Sequence, residues 1–307
     1  MNHLPILVKE VAKVFSLAGL PNINPQQEAV WLLDWASKLQ SNSSPTISYS
    51  PAPRFLQMPA SSSSEDQQLI ETLNSAIYRR IIKREPLQYI LGSAGFHAIP
   101  FPLKVTPDVL IPRFETEHLV DLIVDRQPRH SRKILDVGTG SGAIAIALSI
   151  ALPDASVYAT DISRNALEVA RHNIDQLSVN SCPGQGVTLL PPAHLLTYAI
   201  DHQQQYDTIV ANLPYISNGE YDSLQHEVRL WEPRSALCPP SRIDDDSEGL
   251  GLILELLHQA PRVFCHKVWL EHGVSDTLIP KLSTHQGYTK SFEDLTGKKR
   301  FSLFEFG

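Results

Sequence analysis

Apolar residues recur at helical spacing through the first third of the chain. Val8, Val11, Ala12 and Phe15 form one set, Ala29, Leu32, Leu33 and Ala36 a second, and Leu69, Ile70, Leu73, Ile77, Ile81 and Ile82 a third. Side chains three and four positions apart share one face of a helix, so each set predicts an amphipathic helix. Leu7 and Val14 extend the face of the first. Asn24-Pro25 supplies an N-cap and a first helical residue for the second. The third, expected over 66–83, stops before Pro86, whose ring disfavours helix in the residue ahead of it. Between 41 and 64 the composition turns to Ser and Pro, which predicts a flexible insertion. From 87 to 112 the pattern becomes extended, punctuated by Gly92, Gly95, Pro100, Pro102 and Pro107, and reads as a short hairpin linker.

Beyond residue 113 the period alternates. Buried-strand runs at 133–137, 156–160, 187–190, 208–211 and 267–271 are interleaved with helical patterns at 117–125, 143–151, 165–176 and 250–259. That order predicts an α/β domain with a mostly parallel sheet covered on both faces. Phe301-Ser302-Leu303-Phe304-Glu305-Phe306 alternates with period two and suits a final edge strand. No internal repeat is found. The expected organisation is a helical domain at 1–85, a hairpin linker at 86–112 and an α/β domain at 113–307.

Bulk properties narrow the classes. The chain has 307 residues, 42% hydrophobic and 19% charged, enough to bury a large core. A formal charge of −7 argues against whole-surface attachment to nucleic acid, which rests on many Lys and Arg contacts to phosphate. Cys182, Cys238 and Cys265 form no CxxC pair, so neither a zinc site nor a disulfide framework is expected, and a reduced compartment fits. No apolar run approaches the roughly 20 residues of a membrane helix. The first turns carry Lys9, Glu10 and Lys13 without arginine and do not read as a clear transit peptide. Asp244-Asp245-Asp246 reads as a solvated loop, His226-Glu227 lacks the second His of a helical zinc site, and Lys298-Lys299-Arg300 reads as a solvated turn.

Two turns carry the chemistry. The buried run Ile134-Leu135-Asp136-Val137 enters Gly138-Thr139-Gly140-Ser141-Gly142, followed by a helix. Glycines serve where backbone must turn tightly and let a ligand approach without a Cβ in the way. The spacing lacks the third interval of a dinucleotide fingerprint and the Lys of a phosphate loop. Asp161, at the end of the next strand, is placed to accept both ribose hydroxyls of a nucleoside. These residues point to S-adenosylmethionine as the ligand. The second turn, Asn212-Leu213-Pro214-Tyr215, follows an apolar strand. Asn212 offers a side-chain acceptor, Leu213 a carbonyl and Tyr215 a ring face: a clamp for a planar nitrogen whose delocalised lone pair needs aiming. Both turns lie at carboxyl ends of strands, where open α/β sheets bind ligands.

Several separated blocks resemble the protein-(glutamine-N5) methyltransferases of the PrmC/HemK family, which modify peptide chain release factors. They are Glu85-Pro86-Leu87-Gln88-Tyr89-Ile90-Leu91-Gly92, Val109-Leu110-Ile111-Pro112-Arg113-Phe114-Glu115-Thr116-Glu117, the glycine turn, and Asp161-Ile162-Ser163-Arg164-Asn165-Ala166-Leu167. Further on come the Asn212 turn, Glu227-Val228-Arg229-Leu230-Trp231-Glu232-Pro233 and Asp294-Leu295-Thr296-Gly297. The glycine turn is shared by many methyltransferases, whereas the Pro86 and Pro112 blocks are more specific to this family.

The resemblance implies a class I, Rossmann-like, S-adenosylmethionine-dependent methyltransferase domain behind a helical substrate-docking domain. It implies a donor on Gly138, Thr139, Gly140, Ser141, Gly142 and Asp161, with Asn212 nearby. It implies a substrate glutamine on Asn212, Leu213, Pro214 and Tyr215, with Asn212, Pro214 and Tyr215 carrying catalysis without a metal. The 112–115 segment closes one side of the pocket in this likeness. Two departures stand out. The family usually has two prolines after the Asn, and the first is Leu213 here. After the strand at Val187 the usual acid is replaced in Pro191-Pro192-Ala193-His194, leaving adenine to backbone or to His194, which otherwise reads as a surface histidine. Asn-Leu-Pro-Tyr also occurs in RNA adenine dimethyltransferases, so an adenine-N6 enzyme is the rival reading, and a non-catalytic binding module on the same fold is another. The expected partner is a release factor, with no direct nucleic-acid or membrane binding and a monomeric state. The Ser/Pro insertion on a bacterial-type layout suggests a mitochondrial enzyme of a eukaryote.

Overall fold

A computed structural model describes residues 4–41, 55–56, 63–126, 133–179, 186–239, 249–273 and 278–306. The chain divides into two compact units, Met1–Gly92 and Ser93–Gly307. Most of the Ser/Pro stretch, Asp244-Asp245-Asp246 and Cys182 lie outside the described residues.

The first unit is built from helices Leu4–Ala18, Pro25–Ser41 and Ser64–Ile81 around the three predicted stripes. Val11, Phe15, Ala29, Leu32, Ala36, Leu73 and Ile77 are fully buried between them, while Ile82, the C-cap of the third helix, is exposed. Asn24 caps the second helix through Gln27 N–H at 3.1 Å, satisfying one of the donors a helix start leaves free. Within the expected insertion, Phe55 and Leu56 are pinned: both N–H groups donate to Asn74 Oδ1, at 2.9 and 2.8 Å, and Leu56 is buried. A buried Arg80–Glu28 pair ties the third helix to the second, and an Arg79–Glu85 pair ties it to the turn that follows. Leu87–Leu91, expected to be extended, forms a short helix whose Leu87 and Ile90 join this core. Its five residues are too few for periodicity to register.

The second unit opens with a hairpin, β1 (Ser93–Ala94) paired with β2 (Leu103–Lys104). Asn173 clamps it by accepting from Lys104 N–H and donating to the Lys104 carbonyl, and Phe96, Phe101 and Leu103 are buried in this unit's core. The unit boundary at Gly92 therefore differs from the boundaries at 85 and 112 read from the sequence.

The remaining strands are β3 (Lys133–Val137), β4 (Ser156–Thr160), β5 (Val187–Leu189), β6 (Thr208–Asn212), β7 (Lys267–Glu271), β8 (Tyr288–Glu293) and β9 (Lys299–Glu305). They form one sheet in the order β5-β4-β3-β6-β7-β9-β8, parallel except for the β7–β9 and β9–β8 pairs. Successive residues feed two separate cores. Leu135, Ile209, Ala211, Val268 and Leu270 face one, and Ile134, Val157, Val210 and Trp269 face the other. Strands buried on both faces read as continuous apolar runs, which is why β3, β4, β6 and β7 were visible in the sequence. The expected terminal edge strand is interior instead: β9 lies between β7 and β8, and Phe301–Phe304 are all buried. Its alternation came from Ser302, which is buried yet hydrogen-bonded to His272 Nε2 and Ser291 Oγ, each at 2.8 Å. The true edge, β8, is half-exposed and polar, and gave no strand signal. From β3 the chain crosses toward β4 on one side and later returns to place β6 on the other. That reversal opens a crevice at the carboxyl ends of β3 and β6.

Candidate active site

A cavity of about 470 Å³ occupies this crevice, walled by both predicted turns. Gly138, Gly140 and Gly142 have φ of 74, 55 and 85°, the left-handed region that side-chain-bearing residues avoid. Gly138 and Thr139 donate to the Thr160 carbonyl at 2.9 and 3.0 Å, tying the turn to β4. Asp161 receives Gly140 N–H on Oδ2 and Ser163 N–H on Oδ1, each at 2.9 Å. Asp161 lines the cavity, and a carboxylate offers more acceptor positions than its backbone partners occupy. Burial raises the Asp161 pKa above the ordinary aspartate value, against its backbone hydrogen bonds. Asp136, fully buried beneath the turn, is raised to about 7, first by burial, against the hydrogen bond it accepts from Thr139 Oγ1 at 2.6 Å.

The acceptor turn faces the donor turn directly. A Cβ on Gly138 would come 3.2 Å from Leu213 Cδ2, so the leucine that stands where the family usually has proline packs on the glycine loop. Asn212, Leu213 and Pro214 line the cavity; Tyr215 does not. Its ring lies over Gly273, and its hydroxyl lies 3.4 Å from Glu271 Oε1. Asn212 donates through Nδ2 to Thr116 Oγ1 at 3.2 Å, which leaves its oxygen for a ligand. Thr116 in turn donates to Glu271 Oε2 at 2.7 Å. Burial raises Glu271 to about 7, with the Thr116 bond and the Arg300 charge opposing and Glu115 reinforcing the shift.

Of the 112–115 segment, Phe114 and Glu115 do not line the cavity, and Pro112 and Arg113 do. They are held by Glu232, a buried carboxylate that accepts from Ile111 N–H at 3.1 Å and from the Arg113 guanidinium. His194 reaches the cavity wall with Nε2 2.9 Å from Glu255 Oε1, and the Ala193 N–H donates to the Asp161 carbonyl. The sequence alone points to no role for Thr116, Glu232 or Glu271. For Glu271 a signal existed: like Asn212 and Asp161, it is a polar residue closing or following an apolar strand at the sheet's carboxyl edge.

A glycine turn open to backbone contact, an acid at the next strand end and an amide-bearing turn on one cavity define a Rossmann-like methyltransferase domain. The sequence pattern of the ribosomal protein L11 methyltransferase family (PrmA) matches residues 115–214. A release factor glutamine methyltransferase of Coxiella burnetii is 37% identical over 243 residues, 76% of this chain and 79% of that protein. The release factor glutamine methyltransferase of Bordetella pertussis is 34% identical over 249 residues, 77% and 85% of the respective chains. The solved ribosomal protein L11 methylase of Lactobacillus delbrueckii subsp. bulgaricus overlays with a TM-score of 0.42 at 20% identity, covering 64% of this chain and 81% of that one. The chain belongs to the release factor glutamine methyltransferase family.

Proposed function

We propose that this protein methylates the side-chain nitrogen of the glutamine in the Gly-Gly-Gln motif of a peptide chain release factor, with S-adenosylmethionine as donor. One observation carries the reading: in a member of this family, the glycine turn and the Asn212-Leu213-Pro214 turn share one cavity and touch through Leu213 and Gly138. The residues fit the donor, since the positive-φ glycines bare the backbone and Asp161 presents a carboxylate into the same space. When bound, S-adenosylmethionine supplies an electrophilic sulfonium methyl group. The protein's own task is to position the acceptor, and orientation of this kind is worth on the order of 7–11 kcal/mol of barrier. Asn212 Oδ1 and the Leu213 carbonyl accept the two amide hydrogens. Those bonds strengthen as the nitrogen gains positive charge, which is the differential stabilisation that speeds a reaction. Tyr215, directly after the clamp, lies outside the cavity with its ring over Gly273 and steadies the turn that carries Asn212.

The helical unit serves as docking surface for the release factor, in keeping with the family's layout. The working state in this reading is a monomer, without direct binding to nucleic acid or membrane. The Ser/Pro-rich insertion supports a mitochondrial setting, which subcellular fractionation tests. Incubation with labelled donor and either a release factor bearing Gly-Gly-Gln or bulk RNA tests the activity. Label on the protein supports the proposal; label on RNA alone points to the adenine enzyme, and label on neither to a binding module.

A further inference from the structure

Behind the cavity wall, a buried carboxyl sets the direction of the hydrogen bonds that reach the acceptor clamp. Glu271 ends β7 and pairs in register with Asn212, which ends β6. It is 1% exposed and contributes nothing to the cavity lining. The Thr116 hydroxyl stands between the two, donating to Glu271 Oε2 at 2.7 Å and accepting from Asn212 Nδ2 at 3.2 Å. A hydroxyl carries one proton. With that proton drawn to Glu271, Thr116 meets Asn212 only as an acceptor, so the Asn212 amide must turn its NH2 inward and its oxygen toward the cavity. Without Glu271 the hydroxyl is free to donate to Asn212 Oδ1 instead. The amide then flips and presents N–H donors to a substrate amide that itself offers only N–H at that point.

We propose that Glu271 is a positioning residue for methyl transfer, acting through Thr116 to keep the Asn212 side-chain oxygen facing the acceptor amide. The proposal rests on the glutamine-methyltransferase reading above and adds to it the group that orients the clamp. Tyr215, with its hydroxyl 3.4 Å from Glu271 Oε1, Arg300 on β9 and Glu115 also act on the carboxyl, so Thr116→Val is needed to isolate the route through Thr116.

The test is a double-mutant cycle on the full-length chain. Single-turnover and steady-state transfer to a release factor are measured for wild type, Thr116→Val, Glu271→Leu and the double variant, with donor affinity by calorimetry for each. Misplacement of a reacting group by about 1 Å can cost about 100-fold. Each single variant is expected to lose tenfold or more in kcat while donor affinity holds. The double variant should fall no further than the worse single, because both changes break one chain. Thr116→Ser and Glu271→Gln, which keep the hydroxyl and a carbonyl acceptor, should recover much of the loss and also guard against a folding defect. Wild-type kcat in Thr116→Val or Glu271→Leu, multiplying losses in the double variant, or donor affinity falling in step with kcat would each overturn the positioning role. Absence of transfer by the wild-type chain would instead overturn the functional reading beneath it.

Discussion

Asn212 donates through its nitrogen to Thr116, and the proposed function gives its oxygen to the substrate, so its loss should fall on chemistry rather than on the donor. Asn212→Ala should lower methyl transfer by on the order of 100-fold or more, with donor affinity largely intact by calorimetry; retained turnover would refute its role. Glu271 predicts a pH effect on stability. Its pKa is about 7 in the folded chain against an ordinary 4.5. Below 4.5 both states hold the proton and nothing is lost. As pH rises from there to 7 the unfolded chain ionises first, so stability declines, by at most about 1.4 kcal/mol per pH unit for one group. Above 7 the cost stays constant. Glu271→Gln removes the titration, so in urea unfolding the variant should gain on wild type between pH 5 and pH 8; a pH-independent difference would contradict it. Asp136, also raised to about 7, adds a decline of the same sign that both proteins share. That the glycines, Asp161 and Asn212 gather on one cavity was legible because each ends or follows an apolar strand at the sheet's carboxyl edge. Glu271 ends a strand in the same way, but its link to Thr116, 155 positions away in the chain, was not legible.

Elements that carry the acceptor turn depend on one backbone approach. Gly249 has φ of 72°, and a Cβ there would fall 2.1 Å from the Tyr215 carbonyl oxygen. No rotamer relieves a clash with backbone, so Gly249→Ala should destabilise by more than about 1 kcal/mol and displace the 212–215 turn. A lowered melting temperature together with reduced kcat is expected; an unchanged protein would mean the turn does not rely on this contact. Parallel strands were readable because burial on both faces leaves unbroken apolar runs. β8 gives no strand signal because half its residues face outward, and β9 reads as an edge strand because a satisfied inward serine mimics an outward polar position. Short helices such as Leu87–Leu91 and Thr197–Asp201 are shorter than two turns and leave no period to detect.

At the scale of the molecule, every residue lining the cavity belongs to Ser93–Gly307. A fragment spanning 93–307 should therefore bind S-adenosylmethionine about as well as the full chain, while methylating a release factor far more slowly for want of the helical docking unit. Loss of donor binding in a folded fragment would contradict the first expectation, and undiminished transfer the second. The change from helical to alternating period announced two units, but the hairpin's allegiance was hidden, because Asn173 and the buried Phe96, Phe101 and Leu103 act only once the fold brings them together. The central claim is that one cavity aims a methyl group at a glutamine amide. The most direct measurement is mass spectrometry of a release factor after incubation with the protein and S-adenosylmethionine. The account predicts one added methyl group on the glutamine side chain of Gly-Gly-Gln, absent with Asn212→Ala. A methyl group elsewhere on the release factor, or none, would contradict it.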